Sequence, residues 1–263
     1  MTPMSAKTRL FILLWGAGFI GIISFLLIDL SALIALVPTD DDLPRITPAV
    51  KLLSVVQPGI FLALAVMAGV SLAPKVGLSA SLIEAWMARG RIMPALKPTL
   101  VAGILGGLGG GIAIVLIATL MTPFLPDEAV ASISAFGKLV PFPTRLLYGG
   151  ITEELLLRWG LMTLLVWGIW RVVKKQHPQA PSGCFHAAIL ASAVIFGVGH
   201  LPVVFLVVQD VTYPLIAFVI IANSAFGLVA GYLFWKRGLE AAILAHMKAH
   251  VVMFTASSLG LYY

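Results

Sequence analysis

The chain has 263 residues, of which 60% are apolar and 11% charged, against about 25% charged in an ordinary soluble protein. With a mean hydropathy of +1.05, this composition excludes a soluble globular enzyme, a disordered chain and a nucleic-acid-binding domain. The net charge of +6 therefore reads as cytoplasmic loops that set orientation in a membrane.

Apolar stretches fall at Leu10–Val37, Leu52–Leu72, Leu100–Met121, Leu146–Trp170, His186–Val208, Tyr213–Trp235 and Leu239–Leu259. Each is near or above the roughly 20 residues that cross the hydrocarbon as a helix. Segment 122–145 adds a possible half-helix. The expected fold is all-α: a polytopic membrane bundle of about seven to eight transmembrane helices in a single membrane domain, 1–263. The first stretch is too long for a signal-peptide core and reads as an uncleaved anchor. The runs do not alternate, so strands are not expected. Between the second and third stretches, residues 78–91 read as an amphipathic interfacial helix. Leu78, Leu82, Ile83 and Trp86 share one face, away from Ser79, Glu84 and Arg89. In the third stretch Gly103, Gly107 and Gly111 are four apart, as are Gly106 and Gly110. Such nearly bare faces should press closely against neighbouring helices.

Loop charges alternate along the chain. Lys7, Arg9, Lys75, Arg89, Arg91, Lys97, Arg171, Lys174, Lys175, Lys236 and Arg237 fall on one side. Asp40, Asp41, Asp42, Asp127, Glu128 and Asp210 fall on the other, with Arg45, Lys51, Lys138 and Arg145 as its cations. The positive-inside rule puts the N-terminus in the cytoplasm and the C-terminus outside. Trp167, Trp170 and Trp235 at one set of span ends, and Tyr262 and Tyr263 at the other, suit aromatic belts. The lone cysteine, Cys184, excludes an intrachain disulfide and a thiolate-rich metal site.

Ionisable groups at membrane depth cost roughly 2.5–3.5 kcal/mol each on insertion scales. The fourth stretch carries Glu153, Glu154 and Arg158, the fifth His200, and the seventh His246, Lys248 and His250. His177 falls in a loop, and His186 opens the fifth stretch at the interface. Glu154 and Arg158 are spaced i, i+4 and can pair on one helix face. Glu153 lies about 100° round the helix, without a partner on its own face. An unpaired carboxylate in apolar surroundings is suited to general-base work. His246 and His250 share a face of the last span, while Lys248 points elsewhere, as lining or packing. Two chemistries fit. A Glu and a His can polarise water for attack on a carbonyl while a second His donates to the oxyanion. Alternatively, Glu153, His200, His246 and His250 could hold Zn2+, whose bound water attacks. The stretch boundaries put Glu153 and His200 nearer the outer face and His246 nearer the inner one. Tilt or shifted boundaries would reconcile them.

Glu153-Glu154-x-x-x-Arg158, Phe196-Gly197-Val198-Gly199-His200 and His246-x-x-x-His250 resemble the three ordered motifs of the CAAX-protease and bacteriocin-processing (CPBP, or Abi) intramembrane proteases, a family that includes the Ras-converting CAAX endopeptidase. Asn223, Phe226, Gly231, Gly238 and Leu239 also look like its later half. The resemblance implies a catalytic core over 140–258 after N-terminal helices over 1–139. It implies that Glu153 and His200 activate the water, and that Glu154 and Arg158 hold the site. His246, with residue 250, would stabilise the oxyanion. Position 250 departs from the pattern, being His where the family has Asn. A His can still donate a hydrogen bond, and it also creates an HxxxH pair.

The leading expectation is an intramembrane endopeptidase in the plasma membrane that needs no cofactor. Its substrate would be a membrane-bound or lipid-anchored protein or peptide, and it would have no nucleic-acid partner. The rivals are a proton- or metal-coupled transporter and a non-catalytic immunity or scaffold protein. No paired broken spans in matching halves favour the transporter.

Overall fold

A computed structural model of the chain describes residues 4–38, 48–173 and 178–261. Asp40, Asp41, Asp42, Arg45, Lys174, Lys175, His177, Tyr262 and Tyr263 lie outside the described residues. The described residues form helices and no strands. Seven of the helices are long and apolar enough to cross a membrane: Ala6–Leu27, Val50–Val76, Met93–Phe124, Phe142–Val172, Ser182–Val207, Tyr213–Arg237 and Leu239–Ser258. Numbered in this order, they are spans one to seven. The protein is an all-α, multi-pass integral membrane protein.

The outer surface of the bundle is apolar. Leu53 is 65% exposed, Leu105 63% and Leu120 70%. A surface of this kind is stable against lipid, not water. The interior holds Trp159, Phe226, Phe234, Leu14 and Leu62, all essentially fully buried.

Several boundaries differ from the expected ones. The first span ends at Leu27, ten residues before Val37. Ile28 turns to extended backbone, and the Asp29 carboxylate caps a new short helix, Leu30–Ile34, by accepting from the Ser31 and Ala32 amides. A short acidic side chain that competes for backbone donors stops one helix and starts another. The interfacial helix is seven residues long, Ser81–Met87, rather than 78–91. Leu78 is buried before it begins, Trp86 is 57% exposed, and Arg89 ends it at φ 52°. Segment 122–145 holds a helix at Asp127–Leu139. Asp127 and Glu128 in its first turn and Lys138 in its last suit its dipole. Arg145 hooks back to the carbonyls of Val140 and Gly137, where this helix ends.

The glycines of the third span pack as their spacing requires. A Cβ at Gly103, Gly107 or Gly111 would meet Leu244, Ala245, Ala249 or Val252 of the seventh span. A Cβ at Gly106 or Gly110 would meet Leu233 or Phe226 of the sixth. One helix thus seats two neighbours on two bare faces. The stem of Lys248 also lies against Gly107, which accounts for its turning away from the histidines.

The fourth span is wound differently. Arg145–Glu153 and Leu155–Met162 are π-helical, and Thr163–Val173 returns to α. Side chains tie this span to the first. The Thr152 hydroxyl donates to the Gly18 carbonyl at 2.6 Å, and the Thr144 hydroxyl to the Ser24 carbonyl at 2.9 Å. π winding is uncommon and recurs at functional sites.

Candidate active site

Glu154 and Arg158 are both 0% exposed, and Arg158 Nε lies 3.3 Å from Glu154 Oε2. The expected i, i+4 pair is therefore present, at the centre of the bundle. The other Glu154 oxygen, Oε1, accepts from His246 Nδ1 at 2.8 Å. A carboxylate accepts, so Nδ1 of His246 carries the proton.

Glu153 differs from the expectation. It is not isolated on another face, because its Oε2 lies 3.8 Å from His246 Nε2. The two nitrogens of one imidazole thus address two consecutive glutamates. Two features of the fold allow this. π winding turns the chain by less per residue than the α-helical 100°. The imidazole is also wide enough for its nitrogens to face different carboxylates. Glu154 is sealed, whereas the Glu153 side chain remains 20% exposed.

His200 sits where the fifth span breaks. Helix Ser182–Val198 ends, and Leu201–Val207 begins with Pro202 in its first turn. At the break the His200 amide bonds to the Gly197 carbonyl rather than to that of Phe196, four residues back. The freed Phe196 carbonyl accepts from His200 Nδ1 at 2.8 Å. A carbonyl can only accept, so Nδ1 carries the proton and Nε2 of the neutral ring is left as a base.

Phe196 joins these pieces. Its ring is edge-on to His200 at 4.7 Å and to His246 at 5.8 Å. The Arg158 guanidinium lies 5.3 Å from the same ring's centroid. Phe226 packs against His246 at 4.5 Å from the sixth span. The apparent difference in depth between His200 and His246 is resolved here, since one aromatic ring touches both. Phe196 was visible in the motif, but its bridging role was not. The signal available was the FxxxH spacing, which puts Phe196 one turn before His200.

His250 stacks on His246, with ring centroids 4.9 Å apart and planes 8° apart. Its Nε2 is buried, has no hydrogen-bond partner among the described residues, and faces Gly149. A Cβ at 149 would collide with that nitrogen. Gly149, not singled out from the sequence, is thus the wall that leaves room for an imidazole at 250.

The zinc alternative can be tested against this arrangement. Lone pairs of imidazole nitrogens lie in the ring plane, and the planes of His246 and His250 run parallel. Among the described residues, no three His, Cys, Asp or Glu side chains converge closely enough to hold a metal ion. Glu153, His200, His246 and His250 therefore do not form a ligand set as arranged here.

The family model for Rce1-like type II CAAX prenyl endopeptidases matches residues 135–252. That segment belongs to the CAAX-protease (CPBP) family. All three motifs lie inside it, and the family is one of proteases, so at that level the protein is a hydrolase. No curated protein and no solved structure matches the chain.

Proposed function

We propose that the protein is an intramembrane endopeptidase that cleaves a peptide bond of a membrane-bound or lipid-anchored protein, with prenylated proteins the favoured substrate class. The observation that carries this reading is the run Glu153–His246–Glu154–Arg158 beside His200, buried in a bundle whose outer face suits lipid.

Glu153 and Nε2 of His200 take up a water, and the proton leaves for Glu153 as the water oxygen attacks the carbonyl carbon. His246, protonated on both ring nitrogens between the two glutamates, donates from Nε2 to the oxygen that becomes negative, with His250 stacked against its ring. As the C–N bond breaks, Glu153 returns the proton to the leaving amine. Glu154 fixes the orientation of the His246 ring by accepting from Nδ1–H and neutralises Arg158. The reaction uses no metal in this scheme, so chelators should leave it unchanged. The distribution of basic loops supports a cytoplasmic N-terminus.

The test maps new protein termini in membranes carrying wild type or Glu153→Ala at equal abundance. A terminus found only with wild type supports proteolysis and identifies the substrate. Identical termini across several growth conditions would refute the proposal and favour a scaffold.

A further inference from the structure

Spans two, three, six and seven meet at one end of the bundle. His246 lies seven residues, about 10 Å, along the seventh span from this end. Residues 77–81, the start of the third span and residues 234–238 line an open cavity of about 390 Å³. Its polar lining is Ser79, Ser81, Thr99, Lys236 and Arg237.

Two observations point to an occupant, and a third concerns the cavity wall. First, Thr99 is only 4% exposed, yet it lines the cavity. Among the described residues, none of the hydroxyls of Ser79, Ser81 and Thr99 makes a hydrogen bond. By contrast, Thr119, Thr122 and Thr255 each donate to the carbonyl four residues back. Second, Lys236 is held in place, its Nζ 3.4 Å from the centroid of the Trp235 ring. Third, Glu240 is half committed. Its Oε1 accepts from the amides of Leu82 and Ile83 at 3.0 and 2.9 Å. Its Oε2 is buried without a partner, beside the cavity wall at Gly238. At φ 92° Gly238 brings no side chain to that wall, where a Cβ would lie 2.9 Å from Ser81 Oγ.

We propose that this cavity binds a phospholipid headgroup. The phosphodiester sits against Lys236, Arg237 and the unpartnered hydroxyls. Glu240 stands behind the Gly238 wall, outside the lining, and braces that wall through the Leu82 and Ile83 amides. The cavity lies where spans end, at the level of lipid headgroups. Met93 at 74% exposure and Leu100 at 41% stand outward on the adjoining part of the third span, where acyl chains would run. A soluble phosphate would not use the apolar flank.

The test is native mass spectrometry of the full chain in detergent, with dioleoyl-phosphatidylethanolamine, -phosphatidylglycerol and -phosphatidylcholine as probes. Wild type should retain the anionic glycerol lipid about tenfold better than the two zwitterionic lipids, because Lys236 and Arg237 put two positive charges in the lining. Thr99→Val, near-isosteric, and Arg237→Gln should each weaken retention about tenfold or more, as losing a hydrogen bond to a charged group predicts. The Thr99→Val melting temperature should stay unchanged. Equal retention of all three lipids, or no loss in either variant, overturns the proposal and leaves only annular lipid. Complete displacement by millimolar inorganic phosphate also overturns it, in favour of a soluble anion.

Discussion

The third and fourth spans sit in one bundle and are built for opposite tasks. The third is α-helical and carries bare glycine faces that seat the sixth and seventh spans. The fourth is π-wound and carries Glu153, Glu154 and Arg158 in the interior. In the third, the backbone itself is the contact surface. In the fourth, polar side chains are the contact surface, and sealed Glu154 and Arg158 must balance each other's charge because no water reaches them. Changes in the third span should therefore act on assembly, and changes in the fourth on chemistry or on charge balance.

The sharpest separation is expected from Glu153→Gln. It should lower cleavage of an identified substrate by about 10²–10⁴-fold, the usual worth of a positioned general base. Melting temperature should hardly move, because Glu153 is the partly exposed glutamate. A variant that retains full activity would break the comparison. Next is Arg158→Met, which leaves Glu154 buried without its guanidinium. Removing one partner of a buried pair costs about 3–5 kcal/mol, to be read from unfolding in detergent. The double variant Glu154→Gln with Arg158→Met should recover part of that loss.

Gly107→Val in the third span follows. Its added carbons would meet the Ala245 backbone, which cannot step aside. Overpacking of this sort costs about 1–3 kcal/mol, visible as a lower melting temperature with activity falling in proportion. Gly149→Ala should cut turnover about tenfold by displacing His250, equivalent to about 1.4 kcal/mol in the barrier. Adding His250→Asn, which shortens the opposing side chain, should restore part of the rate. A merely structural role for Gly149 predicts no such rescue. The smallest effect is expected from Gly109→Ala. Nothing lies within 4 Å of a Cβ there, so stability should be unchanged or rise by up to about 1 kcal/mol.

Much of this molecule is legible in its sequence. Lipid sets the length of each span, so the seven apolar runs translate into seven helices. The glycine spacing foretells the close faces, and the i, i+4 spacing foretells the Glu154–Arg158 pair. Other features depend on information that periodicity lacks. π winding changes the angle per residue, so the α-helical count misplaced Glu153. The stop at Ile28 depends on one capping aspartate inside an apolar run. Phe196 and Gly149 gain meaning only from what stands opposite them on other spans.

The Thr152 hydroxyl next to Glu153 is anchored to a carbonyl of the first span, far upstream of the matched segment. An excised piece starting near residue 135 would leave that hydroxyl with nothing to grip and would bare the flank that Gly18 and Gly21 now cover. Minimal versions of this protein should therefore keep the first helix, supplied if necessary as a separate polypeptide.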